Sequence, residues 1–133
     1  MRTAEMLGSH PEQATVDTDL LARAIDALAA CAQACTTCAD ACLAEGMVSE
    51  LRRCIRTDLD CADVCATTLR LLSRRTDTDL TIVRAQLQAC VIACRTCGEE
   101  CETHADMHEH CRVCAEACGA CEQVCTDLLA AMN

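Results

Sequence analysis

The chain has 133 residues, of which 16 are cysteine and none is Phe, Tyr or Trp. Its 21 Asp and Glu residues exceed its 11 Lys and Arg residues, so the formal net charge is −10 at pH 7. This length predicts one domain, with a core built from small aliphatic side chains and sulfur. The negative charge argues against binding to nucleic acid or to an anionic membrane, and it favours cations.

The N-terminal region differs from the rest of the chain in composition. Residues 1–14 contain the only proline, Pro11, and show no sustained hydrophobic period, which predicts a tail with room for one short helical turn. Neither an apolar signal segment nor a run approaching 18 apolar residues occurs in the sequence. We therefore expect a cytoplasmic protein with no membrane partner, whose cysteines remain reduced and bind metal rather than form disulfides.

The first predicted helix begins near Asp17 or Thr18, either of which is a good N-cap, and Gly46 is expected to end it. Its cysteines are spaced by four, three and four residues, and this spacing places their thiols on one face of a helix. The full apolar stripe consists of Leu21, Ala24, Leu28, Cys31, Cys35, Cys38 and Cys42.

The second predicted helix runs from about Met47 to Ser73, with its thiols in the first half and its leucines in the second. The same spacing recurs in Cys54, Asp58, Cys61 and Cys65, so a carboxyl group stands where a fourth thiol is expected. We expect Asp58 to be an inward, hydrogen-bonded acid rather than an oxygen ligand. A loop at residues 74–78 follows.

The third helix is predicted from a sequence resembling a capping box, Thr76-Asp77-Thr78-Asp79, and it ends near His104. A connection at Ala105 and Asp106 precedes the fourth helix, for which Asp106 and Glu109 form a predicted cap pair. The third stripe is Leu80, Val83, Leu87, Cys90, Cys94, Cys97, Cys101 and His104, and the fourth is Cys111, Cys114, Cys118, Cys121, Cys125, Leu128 and Met132.

The four stripes predict an all-α fold, an antiparallel up-down-up-down four-helix bundle over residues 15–133. Cys31 and Cys90 are 59 residues apart and Cys54 and Cys114 are 60 apart, which indicates a repeated helical hairpin. Cysteines come late in the first and third helices and early in the second and fourth, so an antiparallel arrangement brings all the thiols together. The other end is predicted to be filled by Leu21, Leu28, Leu72, Leu80, Leu87 and Leu128.

Charge favours Cu(I) as the metal for such a core. Four Zn²⁺ ions in Cys₄ sites would leave a buried charge of about −8 with no inward-facing arginine, whereas one Cu⁺ per thiolate gives a neutral array of bridging sulfurs. A two-coordinate ion spans about 4–4.6 Å between sulfurs, a distance that i, i+4 pairs and facing helices both supply. Iron–sulfur clusters would leave most thiols unused, and the stripes lack the Glu and Glu-x-x-His residues of a di-iron centre.

The blocks CAQACTTCADAC, CIRTDLDCADVC, CVIACRTCGEEC and CAEACGACEQVC resemble those of the bacterial copper storage proteins of the cytosolic type. The resemblance implies a bundle that binds many Cu(I) ions per chain and a homotetramer of such bundles. It carries over to all sixteen cysteines as metal ligands, namely Cys31, Cys35, Cys38, Cys42, Cys54, Cys61, Cys65, Cys90, Cys94, Cys97, Cys101, Cys111, Cys114, Cys118, Cys121 and Cys125.

The predicted function is therefore cytosolic Cu(I) storage or sequestration without catalytic turnover. Copper would be exchanged with a donor or acceptor protein or with a small thiol. Two alternatives remain at this point, a thiol-based redox or metal sensor and a zinc-handling protein.

A path for copper is predicted at the end of the bundle that holds the first-to-second and third-to-fourth helix connections. The antiparallel topology brings Met47, His104, Met107 and His108 to that end, above the outermost cysteines. Thioether and imidazole bind Cu(I) more weakly than thiolate does, which suits transient capture. His10 and His110 are expected only to meet solvent.

Overall fold

The computed structural model describes residues 1–12 and 15–132 and consists of helices joined by short connections. A short helix α1 spans Thr3–Gly8, and four long helices follow: α2 Thr18–Leu43, α3 Arg52–Ser73, α4 Leu80–Glu102 and α5 Glu109–Ala131. A 3₁₀ turn, Val48–Leu51, precedes α3. The described ranges contain no β-strand, and the predicted all-α class is confirmed.

The four long helices pack as a closed ring, in which α2 and α4 each contact both α3 and α5. Sulfur contacts show that neighbouring helices run in opposite directions. The first cysteine of α3, Cys54, lies 3.7 Å from the last cysteine of α4, Cys101, at their Sγ atoms. Cys65, the last in α3, lies 3.9 Å from Cys90, the first in α4. The predicted antiparallel bundle is therefore confirmed.

The two ends of the bundle differ in chemistry. We call one the histidine end, formed by residues 44–51 and 103–108, and the other the leucine end, which contains the connection at residues 74–79. The leucine end is filled as predicted by five buried side chains, Leu21, Leu28, Leu72, Leu87 and Leu128. The sixth predicted member, Leu80, is 46% exposed because it is the first residue of α4 and lies at the rim.

Two predicted helix starts are corrected by the structure. Asp17 caps α2 as expected, since its side chain accepts a hydrogen bond from the Asp19 N–H at 3.0 Å. The N-cap of α4 is Asp79 itself and not Thr76, because the Asp79 carboxylate accepts hydrogen bonds from the backbone N–H groups of Thr81 and Ile82. The N-cap of α5 is His108 rather than Asp106, so Glu109 lies in the first turn.

The connection from α2 to α3 also differs from the prediction. Helix α2 ends at Leu43, before Gly46, and no glycine in the described residues has a positive φ, so Gly46 does not end the helix by a left-handed cap. Met47 precedes the 3₁₀ turn, and α3 begins only at Arg52.

The N-terminal residues pack along the bundle near the leucine end. Leu7 of α1 is buried, and its carbonyl oxygen accepts a hydrogen bond from the Arg75 guanidinium. The Thr3 hydroxyl donates to Asp26 of α2 at 2.5 Å. The sequence-based division between a tail at residues 1–14 and a domain from residue 15 stays a prediction, and its boundary at Ala14 lies outside the described residues.

Candidate metal centre

All sixteen cysteines are buried free thiols, with exposures of 0% or 1%. The regular spacing explains this placement, because each 4-3-4 stripe occupies the one face of its helix that points to the bundle axis. Burial without a charged partner favours the neutral thiol, and it raises the pKa of Cys42 and Cys111, the cysteines nearest the histidine end in α2 and α5. In the absence of metal, burial therefore favours neutral S–H groups at these two positions.

The sulfur atoms form one connected network. The closest Sγ pairs are about 3.6–4.0 Å apart, for example 3.6 Å from Cys35 to Cys118 and 4.0 Å from Cys90 to Cys94. These contacts occur along single helices and also between helices, for example 3.8 Å from Cys31 to Cys118 and 3.8 Å from Cys61 to Cys94. The closest pairs are thus slightly shorter than the about 4–4.6 Å expected across a two-coordinate copper ion, whereas the groups of possible ligand atoms extend to separations of up to 4.8 Å.

Groups of four ligand atoms within 4.8 Å of one another occur along the core and share members. Cys31 belongs to two such groups, as do Cys35 and Cys118. Separate tetrahedral sites would need separate sets of ligands, whereas overlapping sets suit sulfurs that bridge two ions. Examples are Cys31, Cys35, Cys61 and Cys118; Cys35, Cys97, Cys114 and Cys118; and Cys38, Cys42, Cys54 and Cys111.

Asp58 occupies the place of a thiol in the α3 stripe and is fully buried. Its Oδ1 atom lies 3.0 Å from the Sγ atom of Cys97, 3.2 Å from that of Cys114 and 3.4 Å from that of Cys101. Burial, together with the surrounding sulfurs, raises the pKa of Asp58 to about 12. The side chain is thus a neutral carboxylic acid in the metal-free core, inward and hydrogen-bonded. It also lies within one group of possible ligands, with Cys38, Cys54 and Cys101.

His110 faces the core, which contradicts the expectation that it only meets solvent. Its Nδ1 atom lies 3.4 Å from the Cys38 Sγ atom and 3.6 Å from the Cys111 Sγ atom, and its Nε2 atom lies 2.9 Å from Glu45 Oε2. Burial by itself would lower the pKa of His110, but the hydrogen bonds with Cys38 and Glu45 outweigh it and raise that pKa. The same contact with His110 lowers the pKa of Glu45.

His108 lies beside His110 and shares its carboxylate. The two rings are stacked with centroids 5.4 Å apart, and the Nδ1 atom of His108 lies 3.0 Å from Glu45 Oε2. The His108 side chain is only 8% exposed, and its buried Nε2 atom has no hydrogen-bond partner among the residues that the structure describes. His104 belongs to a separate cluster, with its Nε2 atom 2.9 Å from Glu100, which also contacts Arg53 at 3.3 Å.

The two methionines predicted at this end differ in exposure. Met47 is half-buried and packs against the core, whereas Met107 is 62% exposed. Sequence reasoning missed His110 and Glu45. His110 precedes Cys114 by four residues, and that spacing could have placed it on the thiol face. His10 lies near the leucine end, where its Nε2 atom is 3.2 Å from the Thr76 hydroxyl.

Comparison with known proteins gives matches over most of the chain. A sequence model of the copper storage protein family matches residues 17–130. A cysteine-rich protein from Bacillus subtilis (strain 168), YhjQ, described as uncharacterised, is 36% identical over 106 residues, which are 80% of this chain and 93% of the relative. Within the described residues, no helix is long and apolar enough to cross a membrane.

Solved structures match the bundle closely. The copper storage protein Ccsp from Streptomyces lividans, loaded with 10 copper equivalents, is 55% identical and superposes with a TM-score of 0.95, over 97% of this chain and 98% of that one. A cytosolic copper storage protein from Streptomyces lividans with five coppers is 60% identical, with a TM-score of 0.83, over 84% of this chain and 93% of the other.

Proposed function

The chain belongs to the copper storage protein family, and on that basis we propose that it stores Cu(I), binding many ions through the thiolates of its core. The relatives from Streptomyces lividans are described as copper storage proteins, and their structures contain copper. The observation that carries the proposal is the overlap among the four-ligand groups, in which Cys35 and Cys118 each serve two groups. Bridging sulfurs in such an array allow about one Cu⁺ per thiolate and leave little net charge in the core.

The proposed ligands are the sixteen cysteines of the four stripes. Thiolate is a soft ligand that Cu(I) prefers, and each of these sulfurs is buried within reach of others. Since cysteine binds metal as the thiolate, each protonated thiol should lose its proton to solvent as copper binds. Asp58 is proposed as a hydrogen-bonded acid beside the array, and a role as an oxygen ligand is the less favoured reading.

Copper is proposed to pass through the histidine end. His104 and His108 carry imidazole groups there, and Met47 and Met107 carry thioethers, all weaker ligands than the thiolates beneath them. The contacts of His110 with Cys38 and Cys111 add a third imidazole, directly against the outer thiols. The leucine end is packed with aliphatic side chains and supplies no comparable ligands.

The location, oligomeric state and partners of the protein are proposed from the same relatives and from its sequence. A cytosolic location follows the description of the Streptomyces lividans protein, and it agrees with a core of reduced thiols. A homotetramer follows the family resemblance. We propose no catalytic turnover, with copper exchanged with a donor or acceptor protein or a small thiol. The net charge of −10 argues against nucleic acid as a partner.

Titration of the reduced, metal-free protein with Cu(I) against a competing chelator tests the proposal. Storage predicts saturation near about 16 ions per chain, one for each thiolate. A thiol-based or metal sensor should saturate after one or two ions, and a zinc-handling protein should prefer about four Zn²⁺ to copper. Saturation with Cu(I) near about four equivalents would contradict the bridged array.

The matched variant for this titration is Cys35→Ala. Because the Cys35 sulfur lies 3.6 Å from both Cys114 and Cys118, its loss should lower the capacity by about one or two ions and leave the rest of the array intact. Loss of about half of the capacity would mean that filling depends on one central site.

A further inference from the structure

Glu45 brings two histidines together at the histidine end through one carboxylate oxygen. Its Oε2 atom lies 2.9 Å from His110 Nε2 and 3.0 Å from His108 Nδ1. The Glu45 side chain is 32% exposed, whereas that of His108 is 8% exposed and that of His110 is 23% exposed. The carboxylate therefore lies at the rim, with both rings on its inner side.

A carboxylate attracts an N–H group and repels a nitrogen lone pair, so it selects the tautomer of any neutral imidazole beside it. The two histidines present opposite nitrogens to Glu45. His110 is held with its proton on Nε2, which leaves the lone pair of Nδ1 directed at the thiols of Cys38 and Cys111. His108 is held with its proton on Nδ1, which leaves the lone pair on the buried Nε2.

The remaining nitrogens occupy places where an incoming ion could use them. Nδ1 of His110 is 3.4 Å from Cys38 Sγ, at the top of the thiol network. Nε2 of His108 is buried and has no hydrogen-bond partner in the described part of the chain, although an unpaired buried polar atom carries a free-energy cost. An imidazole ring that is held in one orientation, with one nitrogen unprotonated, is suited to bind a soft cation transiently.

We propose that Glu45 is the positioning residue of copper uptake, and that it sets the tautomers of His108 and His110 so that each ring offers an unprotonated nitrogen to Cu(I). This inference rests on the proposed storage function and on uptake through the histidine end. Glu45 acts through the two rings and is not itself assigned as a ligand.

The first test uses reduced, metal-free protein with ¹⁵N-labelled histidine. Long-range ¹H–¹⁵N correlation spectra at a pH where the rings are neutral distinguish the two tautomers. We expect the Nε2–H form for His110 and the Nδ1–H form for His108. The opposite tautomer at His110 would overturn the proposal without any reference to copper binding.

The second test compares Glu45→Ala with Glu50→Ala, an exposed glutamate in the same connection whose loss changes the net charge equally. Stopped-flow uptake from a Cu(I)–chelator complex should be about tenfold slower in Glu45→Ala, a typical effect of removing a residue that orients a metal ligand, and nearly unchanged in Glu50→Ala. Glu45→Gln keeps an acceptor oxygen and should restore most of the rate and the tautomers, as a neutral acceptor makes a weaker bond.

The outcomes separate this inference from the storage function. Unchanged uptake in Glu45→Ala at full capacity would overturn the role of Glu45 and leave storage intact. Slower uptake without any change in the tautomers would show that the charge of Glu45 acts alone, which also overturns the proposal. A wild-type capacity of only one or two ions would instead contradict storage itself.

Discussion

Asp58 of α3 and Cys97 of α4 are joined by a hydrogen bond in which the thiol lies 3.0 Å from the carboxyl oxygen. The same oxygen lies 3.2 Å from Cys114 of α5, so one side chain links three of the four long helices inside the core. Since the carboxyl group is fully buried and its pKa is raised to about 12, it makes these contacts as a neutral acid. The break in the α3 stripe thus places an uncharged polar group among thiols.

We predict that Asp58→Asn makes the metal-free protein more stable at neutral pH. An unfolded aspartate ionises near pH 4, whereas the folded side chain keeps its proton, so the folded state binds the extra proton above pH 4. The stabilising contribution of Asp58 is therefore complete below pH 4 and is lost as the pH rises. The advantage of the variant should grow by about 1.4 kcal/mol per pH unit between pH 4 and 7.

Urea unfolding of both reduced, metal-free proteins at pH 4, 5.5 and 7 measures this difference. A difference that does not change with pH would mean that Asp58 ionises alike in the folded and unfolded states. Copper capacity should remain nearly the same in Asp58→Asn, because a soft ion prefers sulfur to a carboxyl oxygen. A loss of several ions would instead assign Asp58 as a ligand.

We predict that the metal-free, reduced protein is already a folded bundle. Neutral buried thiols pack as small apolar groups, and the leucine end adds a layer of aliphatic side chains that includes Leu28, Leu87 and Leu128. Circular dichroism should show a helical protein with a cooperative thermal transition. Copper should then raise the melting temperature by mass action and release close to one proton per thiol. A coil spectrum without metal, as for a zinc finger, would contradict this.

The two helical glycines that follow cysteines form a matched pair for a stability test. A Cβ atom on Gly98 would lie 3.3 Å from the Cβ atom of Cys118, which is tight, whereas nothing among the described residues lies within 4 Å of a Cβ atom on Gly119. Gly119→Ala should add about 1 kcal/mol through helix propensity. Gly98→Ala should gain less or lose stability, because α4 and α5 must move apart.

Thermal unfolding of the metal-free variants gives the comparison. The melting temperature of Gly98→Ala should lie below that of Gly119→Ala by about 3–6 °C. Equal melting temperatures would show that the contact of Gly98 with α5 adapts without cost.

The inward orientation of the cysteines could be predicted from sequence, because a 4-3-4 spacing places all four side chains on one face of a helix. The antiparallel packing of neighbouring helices could also be predicted, because only that arrangement brings the cysteine-rich halves together and the leucine-rich halves together. The ends of the helices were less predictable, since several residues near each end are suitable as the capping residue. Asp79, expected as the last residue of a capping box, is the N-cap itself, and Gly46 lies beyond the end of α2. Leu80 has the stripe spacing but lies at the rim of the bundle.

The position of His110 depended on tertiary packing. His110 was expected only to meet solvent because it lies close to a connection between helices, and it is also turned by about 100° around the helix from Cys111. In the first turn of α5, however, the side chain tilts towards the N-terminus and reaches Cys38 of α2 and Glu45 of the following connection. The contact between α2 and α5 near His110 depends on how the whole bundle packs, and the spacing of residues within either helix does not predict it.

We predict that copper enters and leaves the bundle through the histidine end. Replacing His104 and His108 with Phe and Met47 and Met107 with Leu removes the imidazole and thioether ligands there while keeping apolar bulk. Because these groups are proposed to capture ions only in transit, uptake from a Cu(I)–chelator complex and removal by excess chelator should both slow, by about tenfold. Total capacity should change by only a few ions, since the sixteen thiols remain.

The control for this variant is His10→Phe, which makes the same substitution near the leucine end, where His10 contacts Thr76. It should leave both rates and the capacity unchanged, because copper is not proposed to pass there. Stopped-flow kinetics on both proteins measures the rates of copper uptake and removal, and circular dichroism verifies the fold. If the fourfold variant kept normal rates with a normal fold, copper would enter elsewhere. Slower rates in His10→Phe would mean that copper passes through the leucine end, where a path would have to open between packed aliphatic side chains.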